Sequence, residues 1–230
     1  MTKLLITGGC SFTDPNFPSY KEHNVEVWPN IIEKNSDRLL LNVASYGASN
    51  DLIENKIFDA VTKYSEYDCL VMVLWTNAYR VNVADDWRYH TILPNDYNIE
   101  DTDLKFLKKV FEKFFRNMKR TKFLCEHYGF QWQFRSGSMG NEKLYINYLE
   151  EWLKNHPIQE EVNMAWDEII YGCISSFSEE CYLPCWHPNQ IGHERIANMF
   201  TTGECEPVIR TCDRTFDPFV RTQRVDFVYD

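Results

Sequence analysis

The chain has 230 residues, 44% of them hydrophobic, with 15 Phe, 13 Tyr and 7 Trp. That is material for one well-filled core, and it excludes a wholly disordered or fibrous chain. Lys and Arg number 24 against 34 Asp and Glu, a formal charge of −10, which argues against general nucleic-acid binding by phosphate neutralisation.

The N-terminal stretch MTKLLITGGCSF carries too few apolar residues before Gly8-Gly9 for a signal peptide and reads as a first strand, Lys3–Thr7. A loop rich in Pro, Asn and aromatics follows, from Phe12 to about Asn24. Trp28-Pro29 marks a helix start, with Ile31, Ile32 and Leu39 available for the core. Leu40–Ala44 is a second strand, ended by the turn-like SYGASN of Ser45–Asn50, and a helix runs from Asp51 to about Tyr64. Cys69–Trp75 is a nearly continuous apolar run of strand length, as expected of a central parallel strand buried on both faces. It is also far short of the roughly 20 residues that cross a bilayer, so a cytoplasmic protein with no membrane partner is expected.

Arg80–Glu100 has no clean period and reads as a loop, serving either as a pocket wall or as a solvated excursion. From Asp103 the period is helical: Leu104, Leu107, Phe111, Phe114, Met118 and Cys125 share one face. The opposite, basic face is best read as a solvated face balancing an acidic protein. Gly129 closes that helix and Phe130–Phe134 is another strand. After a loop at Ser136–Asn141, two helical pieces, Leu149–Lys154 and Gln159–Tyr171, precede the cysteine-containing segment Cys173–Trp186 and a last core helix, Gly192–Phe200. The order is that of an α/β domain over residues 1–200: a three-layer α/β/α sandwich with a mostly parallel sheet of about five strands. Residues 201–230 form a tail that wraps the core, adds an edge strand, or pairs with a second copy in a homodimer.

The eight cysteines, in a chain without an export signal, are expected as reduced thiols. Cys181, Cys185, His187, Cys205 and Cys212 lack the paired two-to-four-residue hooks of structural zinc, so no metal is expected there.

The carboxyl ends of parallel strands carry the functional loops. Here they supply Gly8-Gly9-Cys10-Ser11, Tyr46-Gly47 and Thr76-Asn77, while His187-Pro188-Asn189 and Gly192-His193 open the last helix. A serine past a strand, a glycine amide, an asparagine amide and a late histidine are the parts of acyl transfer. There is no dinucleotide fingerprint, P-loop or G-x-S-x-G elbow. His193 reads as a structural residue of the last helix.

These blocks resemble those of the SGNH hydrolases, the GDSL-type esterases and lipases. Gly9-Cys10-Ser11 resembles their first block, Asn42–Asn50 the second, Trp75-Thr76-Asn77 the third, and His187-Pro188-Asn189 the last. The resemblance implies a serine ester hydrolase without cofactor, with Ser11 as nucleophile and His187 as general base. It also implies an oxyanion hole of Ser11, Gly47 and Asn77. Two positions depart from the pattern: Trp75 and Ala78 flank Asn77 where the family has glycine and aspartate, and Pro184 holds the place of the triad aspartate. His187 is then oriented by a main-chain carbonyl or by another acid, such as Glu179 or Glu180. The substrate is expected to be a small-molecule or carbohydrate ester, with an O-acetylated carbohydrate favoured by the aromatic loops. Phe12, Arg80, Trp87, Tyr89 and Trp186 are the candidate contacts, and Arg80 either meets an anionic group or pairs with an acid. The departures leave two alternatives, a weak or inactive binding protein on the same fold and an O-acyltransferase.

Overall fold

A computed structural model describes residues 2–78, 80, 82–85, 88–91, 104–137, 161, 162, 164 and 172–203. Its centre is a parallel sheet of β1 (Lys3–Gly9), β2 (Leu39–Asn42), β3 (Asp68–Trp75) and β6 (Gln131–Ser136), in the order β2-β1-β3-β6. Two shorter strands, β4 (Asn82–Asp85) and β5 (Arg88–Thr91), form an antiparallel pair apart from it. Helices α1 (Pro18–Glu22), α2 (Trp28–Lys34), α3 (Asn50–Lys63), α4 (Leu104–His127) and α5 (Gln190–Thr202) complete the described elements.

Side chains alternate along a strand, and here both sets are apolar. Leu4 and Ile6 of β1, with Cys69, Val71, Val73 and Trp75 of β3, pack under α3 and α4. Leu5, Met72 and Leu74 point the other way, against Trp28 and Ile32 of α2 and Ile196, Ala197 and Phe200 of α5. Trp28 and Phe200 stack with ring centroids 4.4 Å apart. The result is the three-layer α/β/α sandwich expected, with helices covering both faces of a parallel sheet.

Several expectations shift in detail. The described residues give the parallel sheet four strands rather than about five. The stretch read as structureless from Arg80 holds the β4–β5 pair, and the loop from Phe12 to Asn24 holds the single-turn helix α1. The last helix runs two residues beyond Phe200 and ends at Gly203, whose φ of 76° closes it. The pieces expected at Leu149–Lys154 and over most of Gln159–Tyr171 lie outside the described residues, as does the tail from residue 204 onward. On the basic face of α4, Lys113 meets Asp51, Arg120 meets Glu54 and Lys119 meets Glu161, while all three side chains stay exposed, as expected of a solvated face. Among the described residues no helix is long and apolar enough to cross a membrane, and no group of three potential metal ligands occurs.

The strand order places the reversal of winding at β1, flanked by β2 and β3. The crevice beyond the carboxyl ends of such neighbouring strands is where open α/β sheets bind their ligands.

Candidate active site

Beyond β1 the chain turns at once: Thr13 and Asp14 both donate their N–H groups to the Cys10 carbonyl, at 2.9 and 3.2 Å. The turn is tight enough that a Cβ on Gly9 would fall 2.1 Å from Thr13 Oγ1 and 3.1 Å from the Leu74 carbonyl oxygen. Thr13 is fully buried and its Oγ1 accepts from Trp28 Nε1, so it has little room to yield. Gly9→Ala should therefore cost about 1–3 kcal/mol by overpacking, read as a lower urea midpoint. An unchanged midpoint would show that the turn gives way.

Ser11, 5% exposed, sits on this turn. His187 reaches it from the far end of the chain, with Nε2 3.0 Å from Ser11 Oγ. The loop that delivers His187 is a compact reverse turn: Trp186 N–H donates to the Leu183 carbonyl and Leu183 N–H to the His187 carbonyl, while Tyr182 bridges Pro188. Pro184 takes the first corner, where its fixed φ suits the turn, and Trp186 has a positive φ of 60°. Asn189 then caps α5, its side chain accepting from Gly192 N–H.

This turn brings the Cys185 carbonyl oxygen to 3.0 Å from His187 Nδ1. A carbonyl only accepts, so Nδ1 carries the proton, and Nε2 is left to accept from the Ser11 hydroxyl. A main-chain carbonyl thus stands behind the ring in place of a carboxylate. Glu180 is engaged elsewhere, with Ser178 and Arg195.

Phe17 stacks on the imidazole at 4.0 Å and Phe12 meets it edge-on at 5.2 Å. This desolvation, aided by the positive charge of Arg80 and opposed by the Cys185 carbonyl, pulls His187 down to about 4. His193 is fully buried, accepts at Nδ1 from Trp28 N–H and packs against Tyr20. It is a core residue, separate from the Ser11–His187 pair.

Gly47 and Asn77 occupy the next two strand ends. Gly47 has φ 75° with open space where a Cβ would stand, so backbone conformation alone calls for glycine. Its loop is tied to that of Ser11: Ser45 N–H donates to the Gly9 carbonyl, and Tyr46 N–H to Asp14 Oδ2 at 2.9 Å. Asn50, at the start of α3, accepts from Thr76 N–H and donates to the carbonyls of Thr76 and Asn77. One side chain therefore joins the second loop to the third.

Of the candidate contacts, Phe12 lines the histidine, and Trp186 is exposed beside it. Arg80 lies three residues past Asn77, Trp87 lies outside the described residues, and Tyr89 is placed by its backbone in β5. Asp14, Phe17 and Asn50 were missed from sequence. The Asp14-Pro15-Asn16 stretch, in which Asp14 Oδ1 accepts from Asn16 N–H, was a readable turn signal for the first.

No protein-family model matches this chain, and no curated protein does. Solved structures do match. A crystal structure of TesA aligns with a TM-score of 0.52 at 11% identity, covering 90% of this chain and 99% of that one. The psychrotrophic esterase EstA from Pseudoalteromonas sp., in a structure inhibited by monoethylphosphonate, aligns with a TM-score of 0.50 at 12% identity. That alignment covers 88% of this chain and 96% of EstA. The likeness is one of fold.

Proposed function

We propose that the protein is a serine hydrolase of carboxylic esters, of the SGNH kind, working through a Ser11–His187 dyad. The observation that carries this reading is the 3.0 Å approach of Ser11 Oγ to His187 Nε2 across 176 residues of sequence, with the ring tautomer set by Cys185. The fold-level likeness to an esterase inhibited by a phosphonate is in keeping with it.

In this reading Ser11 Oγ attacks the ester carbonyl carbon as its proton passes to His187 Nε2. The amides of Ser11 and Gly47 and the side chain of Asn77 stabilise the tetrahedral oxyanion. Collapse breaks the bond to the alcohol, which leaves with the proton from His187. Water then repeats the sequence on the acyl-enzyme, releasing acid and free Ser11. An acceptor hydroxyl in place of water would make the same residues an O-acyltransferase. Trp186 and Tyr46 are 57% and 41% exposed, and their faces suit a sugar ring, which favours an O-acetylated carbohydrate.

The test is a fluorophosphonate. Attack by Ser11 forms an oxygen–phosphorus bond and expels fluoride, adding one group per chain. Stoichiometric labelling that Ser11→Ala abolishes is the expected result. The neutral carbonyl behind His187 favours one other reading, a carbohydrate or small-ligand binding protein with little catalysis. Absence of labelling in folded protein across pH 6–9 would favour that reading over the esterase.

A further inference from the structure

Arg80 belongs to the turn that leaves β3: its N–H donates to the Asn77 carbonyl at 3.0 Å. Asn50 clamps the same turn through Thr76 and Asn77, so the guanidinium springs from a fixed base. Its Nε and Nη1 atoms are buried, and among the described residues they have no hydrogen-bond acceptor and no acid pairs with the side chain. Arginine stays charged at any physiological pH and presents a planar fork of donors matched to carboxylate or phosphate oxygens. Arg80 is half-buried, and buried guanidinium N–H groups without an acceptor among the described residues are costly for a fold to keep unless something completes them. Its charge is also felt at the His187 ring, which puts it within electrostatic reach of the Ser11–His187 pair.

We propose that Arg80 is the anion-recognising end of the substrate pocket, so that the ester cleaved here carries a carboxylate close to its scissile carbonyl. The inference rests on the serine-esterase reading and specifies its substrate class. A chain of net charge −10 repels anions in general, so selection of an anionic ester needs such a local cation.

Two ester pairs test it. With the anion on the acyl side, p-nitrophenyl hydrogen glutarate is compared with p-nitrophenyl valerate. With the anion on the alcohol side, acetoxyacetate is compared with 2-acetoxyacetamide, each after subtraction of the uncatalysed rate. One pair should show kcat/KM at least about tenfold higher for the anion, as expected of a charge-assisted hydrogen bond. That pair identifies the side of the ester on which the charge lies. In Arg80→Gln the ratio should fall to near one, and in Arg80→Lys part of it should remain.

Ratios near one in both pairs, in wild-type protein that turns over the neutral esters, would overturn the assignment while leaving the esterase reading standing. Equal losses on charged and neutral esters in Arg80→Gln would overturn it too, making Arg80 a support for the fold. Calorimetric titrations of Ser11→Ala with acetoxyacetate and, separately, with p-nitrophenyl hydrogen glutarate read the anion site on either side without chemistry. Binding of one of them that a further Arg80→Gln substitution abolishes supports the proposal even if Ser11 proves unreactive, and binding of neither overturns it.

Discussion

The rate of fluorophosphonate labelling at Ser11 is expected to stay nearly level from pH 8 down to pH 5 and to fall only as the pH approaches 4. A general base acts in its neutral form. Desolvation under Phe17 and Phe12, with the charge of Arg80, lowers His187 to about 4. At pH 4.5 about three quarters of the rings would be neutral, against about 1% for a histidine at its ordinary 6.5. The predicted difference is therefore more than fiftyfold. A labelling midpoint between 6 and 7 would show that the ring is solvated and the aromatic cover absent.

The same displacement sets an acid limit to stability. In the unfolded chain His187 and His193 return to about 6.5 and take up protons first as the pH falls. Stability is complete above that value and lost progressively as the pH drops from 6.5 towards 4. His187 accounts for about 3 kcal/mol of loss, at 1.36 kcal/mol per pH unit. His193, fully buried and lowered to about 3 by burial and by His187, adds a comparable share. Urea midpoints at pH 7, 5.5 and 4.5 should fall in that order, and labelling rates are to be compared where the fold persists.

The second large effect concerns Pro184. The Cys185 carbonyl selects the tautomer but carries no net charge, so it compensates an imidazolium far less than a carboxylate does. Turnover should accordingly be slow even where labelling succeeds. Pro184→Asp is expected to raise kcat/KM for a simple ester by roughly tenfold or more. It should also move the acid limb of the pH profile upward, because a neighbouring carboxylate favours the protonated ring. The paired shifts distinguish an electrostatic gain from a merely loosened turn, which would lower the melting temperature and leave the pH midpoint in place. If neither rate nor midpoint changes, the new side chain does not reach the ring and the turn itself dictates the partner of Nδ1.

Much of this architecture was legible because burial on both faces of β1 and β3 leaves an apolar signature that no solvated segment mimics. The end of β3 was legible to the residue, since Thr76-Asn77 stops an apolar run, whereas β1 continues through Gly8-Gly9 and β2 stops at Asn42, each two residues from its expected end. What was not legible has two physical causes. Elements of four or five residues, such as α1, β4 and β5, are too short to establish a period. Contacts between distant residues leave no mark at either position. Phe17 on His187 and Asp14 on Tyr46 are examples: each pairs residues that nothing local links, yet they set the basicity of one group and the placement of another. The carbonyl of Cys185 is a harder case, since every residue has one and only the turn around Pro184 aims it.

The separation of Ser11 from His187 along the chain also governs when the site comes into being. A ribosome emits the proposed nucleophile almost at once and its proton acceptor 176 residues later. At roughly 5–20 residues per second, that interval is about 10–35 s. During it the serine is an ordinary alcohol, whatever the N-terminal strands have built. On the proposed reading, reactivity is withheld until the histidine turn and α5 close over the sheet, so the nascent polypeptide would be chemically silent towards esters in its surroundings. Fragments that stop short of the histidine should remain silent permanently, even where they retain β1 and β3.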